Sequence, residues 1–224
     1  MKGRHLDYTV QVDFDDTITV GIVSLSLMKA FSDSKQWELI EANYSSGLIS
    51  VEESNRQLFA HINTDSQKIR DYVTRVAKIR PGFLSFVEFC STSNINLVIV
   101  SSGLDIYIKP ILQKLGLSNL ELRSGVTSYT SQGIAVTYIG PNGEEILEGF
   151  KLAWFHYYRN YGRSLVYIGD SESDLPSALE ADHVIARSEL KELLASRGIP
   201  HNSFDTFYDV QKHLLALPKF HKLT

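Results

Sequence analysis

The chain has 224 residues, of which 43% are hydrophobic and 21% charged, and it carries a formal net charge of −4. This length buries a core readily, as one large domain or a core with a smaller appendage, while the mild negative charge offers no basic field for nucleic acid. The single cysteine excludes an intramolecular disulfide, MKGRHLDYTV lacks the apolar stretch of a signal peptide, and no segment reaches ~20 uninterrupted apolar residues; a soluble, cytoplasmic protein is expected.

YTVQVDF, from Tyr8 to Phe14, is a β-rich run that reads as a buried strand. From Val20 to about Ile79 the pattern turns helical: Ile22, Leu25, Met28 and Phe31 recur at helical spacing, and Ser50 with Glu53 and Thr64 with Gln67 suggest capping boxes. A crossover needs far less chain, so residues 20–79 read as a small helical subdomain inserted after the first strand; the alternative is extra helices packed on the sheet. Pro81 to Cys90 predicts a helix with proline in its first turn and Cys90 as a buried small hydrophobe. NLVIV (Asn96–Val100) predicts a second strand, and Leu104 to Leu115 a helix ending at Gly116. Between Leu120 and Ile139, LELRSGVTSYT and IAVTYI predict an antiparallel hairpin turning at Ser131, Gln132 and Gly133, with Asn142-Gly143 as a further turn. SLVYI (Ser164–Ile168) and, more weakly, Val184–Ala186 supply further strands, and the closing LPKFHKLT reads as a frayed tail. Strands alternating with helices argue for a mainly parallel α/β sheet.

Ligands of such sheets bind beyond the carboxyl ends of the strands, and three of these strands end in polar clusters. DFDDT carries Asp13, Asp15 and Asp16 within four positions. A helix cap explains one carboxylate, not three. If side chains alternate at the strand end, Asp13 and Asp15 share a side and Asp16 points elsewhere; two carboxylates that close repel unless a cation bridges them or one holds a proton. In VIVSSG, Ser101 is either a plain helix cap or, with Ser102 and Gly103, part of a phosphate-binding helix N-terminus. In IGDSESD, Ser171 with Asp174 suits a capping box, while Asp170 comes straight off an apolar strand toward the edge occupied by Asp13. A carboxylate cluster of this kind suits a hard, oxygen-bound cation such as Mg²⁺ far better than zinc. Lys151 stands alone in the apolar helix GFKLAWFHYY; it is either an ordinary helix-surface lysine or the partner of the Asp13 side of the cluster and of a phosphate oxygen. His156, His183, Trp37 and Trp154 are expected to be structural.

Taken in order, DFDDT, VIVSSG, Lys151 and GDSESD resemble the four motifs of the haloacid dehalogenase superfamily of phosphohydrolases, over Val12 to Asp174. Phosphoserine phosphatase-like hydrolases are the nearer likeness, and RPGF, SSGLDIYIKPIL and GDSESDLPSA resemble their methionine-salvage branch, which acts on an enol phosphate. The resemblance implies a doubly wound, mainly parallel Rossmannoid core (residues 1–19 and 80–224) with an inserted helical cap (residues 20–79) and a β-hairpin. It implies Asp13 as nucleophile toward phosphorus and Asp15 as general acid and then base. It places Mg²⁺ on Asp13, the Asp15 carbonyl and Asp170, sets Ser101, Ser102, Gly103 and Lys151 on the phosphoryl oxygens, and gives Asp174 a supporting position behind the metal or Lys151. The implied partner is a small phosphorylated metabolite, with neither nucleic acid nor membrane.

Two departures stand out. Relatives have a small residue where this chain has Asp16, so that carboxylate either faces solvent or weakens the site. Phosphoserine phosphatases also place an acidic residue, for the substrate's ammonium, about where this chain has Ile22. Arg56 matches their cap arginine for the substrate carboxylate; otherwise it is a solvated helix residue. An arginine without the acid argues for a substrate lacking an amino group. Phosphoserine remains the alternative substrate, and a non-catalytic regulator that binds phosphate or is phosphorylated on aspartate is the alternative of another class.

Overall fold

YTVQV forms β1 (Tyr8–Val12), all five side chains of which are buried, as expected for a strand covered on both faces. The computed structural model describes residues 8–32, 34–131, 133–160 and 164–217; the N-terminal segment to Asp7, most of the C-terminal tail and Gln132 of the expected turn lie outside the described residues. The other strands are β2 (Asn96–Leu104), β3 (Glu121–Thr130), β4 (Gly133–Thr137), β5 (Ser164–Gly169), β6 (His183–Ala186) and β7 (Asn202–Ser203). They form one sheet in the order β4-β3-β2-β1-β5-β6-β7, parallel except for the β3–β4 pair. The order reverses at β1. The chain runs outward from β1 through β2, β3 and β4, then returns through α7 to β5 on the other side of β1, and this reversal opens a crevice at the strands' carboxyl ends. The expected hairpin is the β3–β4 pair, and β3 also pairs with β2, so the hairpin extends the main sheet.

Helices α1 (Val23–Phe31), α2 (Ser34–Ser45), α3 (Val51–Ala60) and α4 (Ser66–Val76) lie between β1 and β2. The chain enters and leaves this stretch side by side: Thr19 bridges Ile79, the Val20 amide donates to the Lys78 carbonyl, and the Arg80 amide donates to that of Ile18, both at 2.8 Å. Leu27, Met28, Phe59, Ile69 and Val73 of these helices are buried in the same apolar cluster as the sheet. Ser50 caps α3 by accepting from the Glu53 amide, but the second expected box is displaced by one residue. Asp65, not Thr64, caps α4, because its carboxylate reaches the Lys68 amide, and the Gln67 side chain turns to Asp71 instead.

The remaining helices are α5 (Phe83–Thr92), α6 (Asp105–Lys114), α7 (Phe150–Arg159), α8 (Leu175–Glu180), α9 (Ser188–Ser196) and α10 (Phe207–Leu215). Pro81 falls outside α5, whose N-cap is the left-handed Gly82. Cys90 is buried and its thiol pushed up to about 12 by burial, which leaves it an inert packing residue. Among the described residues, no helix is long and apolar enough to cross a membrane.

Candidate active site

Register brings the polar clusters to one rim. Val12 of β1 is level with Ile99 of β2 and Ile168 of β5. Asp13, Ser101 and Asp170 therefore emerge within one or two residues of each other from three adjacent strands. With Asp15, Ser102, Gly103 and Lys151 they line a cavity of about 290 Å³. The serines lie in β2 itself and α6 starts only at Asp105, with no side-chain cap at Leu104. The helix-cap reading of Ser101 is thus replaced by a strand end, where its hydroxyl accepts from the Gly103 amide at 3.0 Å.

Lys151, from the first turn of α7, is the buried cation at the centre. Its Nζ stands 2.6 Å from Asp174 Oδ1 and 3.2 Å from Asp13 Oδ1, and donates to Ser173 Oγ at 3.0 Å. Burial alone would lower its pKa, but Asp13 and Asp174 outweigh that and hold it charged, above the usual lysine range. Asp174 is fully engaged: Oδ1 also accepts from the Tyr167 hydroxyl, and Oδ2 from the Asp170 and Ser171 amides. Burial, which would raise its pKa, loses to Lys151 and these donors, so Asp174 stays below the usual carboxylate range. The Ser171–Asp174 capping box is present in full. Gly169 is required here, since a Cβ would lie 2.5 Å from the Asp174 carboxyl carbon.

Asp13 and Asp170 are less fully engaged. Burial raises both; in Asp13 it outweighs the opposing charge of Lys151, and repulsion from Asp174 adds to the shift in each. Asp170 accepts from the Thr17 hydroxyl at 2.7 Å, while Asp13 Oδ1 is buried with no hydrogen bond of good geometry. Oxygens of Asp13, Asp170 and Asp174 lie within 4.8 Å of one another. An all-oxygen donor set of three converging carboxylates fits a hard divalent cation. Because the oxygens of Asp174 are already occupied, Asp13 and Asp170 are the better donors.

Asp15 is held by groups that its neighbours in sequence did not announce. Oδ2 accepts from the Tyr107 hydroxyl at 2.6 Å and Oδ1 from the Val23 amide at 2.7 Å. Burial raises its pKa despite these donors. Tyr107 reaches Asp15 only because residue 103 is glycine: a Cβ there would lie 2.2 Å from the phenol oxygen. Tyr107, Thr17, Tyr167 and Ser173 escaped the sequence reading, since nothing local marks a hydroxyl whose partner lies far along the chain or in another cluster.

Asp16 neither faces open solvent nor enters the cavity. Held at φ +48°, it meets Arg187 Nη1 at 2.6 Å and Arg80 Nη2 at 3.4 Å, and accepts from the Gly21 amide. Burial, and then repulsion from the Arg187 guanidinium, lowers the Arg80 pKa, and Asp16 is the carboxylate between the two. Arg56 is also absent from the cavity wall; its guanidinium binds the Ile146 and Leu147 carbonyls and lies over Tyr138. Ile22, Leu25, Met28 and Leu58 supply an apolar wall, with Glu41 and Tyr44 beside it. His156 pairs with Glu180, His183 packs on Tyr8, Trp154 donates to the Ile139 carbonyl, and Trp37 packs against the core.

The sequence profile of the haloacid dehalogenase-like hydrolases matches residues 10–179. A 2-hydroxy-3-keto-5-methylthiopentenyl-1-phosphate phosphatase of Brevibacillus brevis is 33% identical over 202 residues, covering 88% of this chain and 90% of its own. One of Exiguobacterium sibiricum is 30% identical, covering 90% and 94%. Among solved structures, a substrate-bound phosphoserine phosphatase superposes with a TM-score of 0.71 at 14% identity, covering 95% of this chain and 99% of that one, which speaks for the fold. With the profile spanning most of the chain, and with full-length phosphatase relatives at this identity, the chain belongs to the haloacid dehalogenase-like hydrolases and is a phosphatase among them.

Proposed function

We propose that this phosphatase hydrolyses a small phosphomonoester through an aspartyl phosphate on Asp13, and that its substrate is the methionine-salvage enol phosphate named for its relatives. The observation that carries the chemistry is the buried convergence of Asp13, Lys151 and Asp170 at one end of a cavity. An Asp13 oxygen attacks phosphorus, and the ester P–O bond breaks. Asp15, whose raised pKa favours the protonated form, gives its proton to the leaving oxygen. It then takes a proton from the water that cleaves the acyl phosphate. Ser101, Ser102, the Gly103 amide and Lys151 hold the phosphoryl oxygens, and Ser102 Oγ is buried with no partner of its own. Mg²⁺ on Asp13, Asp170 and the Asp15 carbonyl would neutralise negative charge so that an anion can approach an anion. Residues 20–79 act as the cap that excludes water.

The apolar wall of Ile22, Leu25, Met28 and Leu58 suits a thioether chain. Phosphoserine is the second reading, and Glu41 favours it: this half-buried carboxylate borders the cavity and could meet an ammonium. A regulator has less support, because Asp16, which motivated it, is bound to Arg187 and Arg80. Steady-state hydrolysis of a panel containing both substrates, with a chelator control, tests the proposal. A kcat/KM for phosphoserine above that for the enol phosphate reverses the substrate assignment; no Mg²⁺-dependent turnover of any phosphate ester removes the mechanism.

Metal affinity should rise with pH. Without metal, Asp13 is pushed up to about 7 and Asp170 to about 9, so both largely hold protons at pH 6, and a cation must displace them. Titration calorimetry should show Mg²⁺ binding at least about tenfold more tightly at pH 8 than at pH 6, with proton release. A pH-independent affinity rejects these two carboxylates as ligands.

A further inference from the structure

Helix α3 grips both arms of the phosphate cradle with side chains that the chemistry above does not use. Glu52 is buried at 2% exposure, and its Oε1 accepts from the Phe150 amide at 3.0 Å. Phe150 opens α7 after a left-handed Gly149 that offers no side-chain cap, so this amide is one that the helix leaves unpaired. A carboxylate at a helix N-terminus also meets the positive end of the helix dipole. Glu52 thus caps α7 from 98 residues away, next to Lys151. One turn along α3, Asn55 Nδ2 donates to the Ser102 carbonyl at 2.8 Å and to the Tyr138 hydroxyl at 2.9 Å, and that hydroxyl donates to the same carbonyl. The peptide is planar and trans, so anchoring the Ser102 carbonyl sets the opposite direction of the Gly103 N–H.

We infer that Glu52 and Asn55 are positioning residues for phosphoryl transfer: Glu52 sets the first turn of α7 and with it Lys151, and Asn55, with Tyr138, fixes the Ser102–Gly103 peptide, whose amide donates to the Ser101 hydroxyl of the cavity lining. Arg56 and Ser50, on the same helix and its cap, hold the Leu147 carbonyl just before α7 and complete the grip. The helix that closes the cavity thereby also orders the phosphate site beneath it. This inference rests on the phosphatase reading.

The test compares wild type with Glu52→Ala, Glu52→Gln, Asn55→Ala and Tyr138→Phe. It reads kcat and KM for an aryl phosphate, Ki for inorganic phosphate, and Mg²⁺ affinity. Glu52→Ala and Asn55→Ala should each weaken phosphate and lower kcat/KM by about tenfold or more, with Mg²⁺ affinity unchanged. Glu52→Gln keeps an acceptor for the Phe150 amide and should recover to within about threefold of wild type. Tyr138→Phe keeps the ring volume while losing one donor, and should show a smaller loss in the same direction. Should an alanine variant fail to fold, the Glu52→Gln and Tyr138→Phe values decide. Folded alanine variants with wild-type Ki, Tyr138→Phe indistinguishable from wild type, or Glu52→Gln as poor as Glu52→Ala each overturn the inference. A wild type inactive on every phosphate ester sinks the phosphatase reading instead.

Discussion

Asp13→Asn is expected to abolish turnover of a generic aryl phosphate, by at least about 10⁴-fold, while leaving a folded protein. The amide oxygen is too weak a nucleophile to form an acyl phosphate, and the two neighbouring carboxylates of the cluster are engaged elsewhere. Asp174 is held by Lys151, Tyr167 and two backbone amides, and Asp170 points to Thr17 and the cation position. Stability should not suffer. Burial already raises Asp13 to about 7, which means the folded state disfavours its charge, and Lys151 keeps Asp174 as a partner when that charge is removed. The check is kcat with saturating Mg²⁺ alongside a thermal melt. Residual activity above about one part in a hundred, far more than loss of a nucleophile leaves, rejects the assignment.

Asp15→Asn should slow both chemical steps, by about 10²–10⁴-fold for the step that needs the proton most. The leaving group decides which step that is. A nitrophenolate departs with little help from an acid, so the first step survives, whereas water must still be deprotonated to cleave the acyl phosphate. The variant should therefore accumulate phosphoenzyme with an aryl ester and not with an alkyl ester. Acid quenching and intact mass measurement, reading one added phosphoryl group, distinguish the two. Asparagine also leaves one carboxyl position without an acceptor, because Tyr107 and Val23 both donate to Asp15. The expected destabilisation is about 1–3 kcal/mol. An aryl ester that leaves no trapped phosphoenzyme while turnover is slowed would remove Asp15 from the second step.

Much of the fold is legible in local pattern because the strands are short β-prone runs with apolar centres and the helices carry their own period. The first, second and fifth strands, α6 and the hairpin all lie close to where their residues alone place them. Short or marginal elements fared worse. The two-residue β7 has too little chain to register as a pattern, Thr64 lost its capping position to the neighbouring Asp65, and Pro81 stayed outside the helix that it seemed to start. The candidate-site residues were visible because their types are rare where they stand: three carboxylates in DFDDT, and a lone lysine in an apolar helix.

What the sequence alone determined is therefore the alphabet of the candidate site, Asp13, Asp15, Ser101, Lys151, Asp170 and Asp174, together with the alternation of strands and helices that makes the sheet. Only the tertiary structure decided how each of these is tuned. Strand register levels Asp13, Ser101 and Asp170 at one rim, Asp16 finds Arg187 and Arg80, Arg56 turns to backbone carbonyls, and Glu52 caps a helix 98 residues distant. The reason is physical. Residue type and periodicity are local properties, whereas burial, charge pairing and hydrogen-bond partners depend on which distant segments share the low-dielectric space around a group.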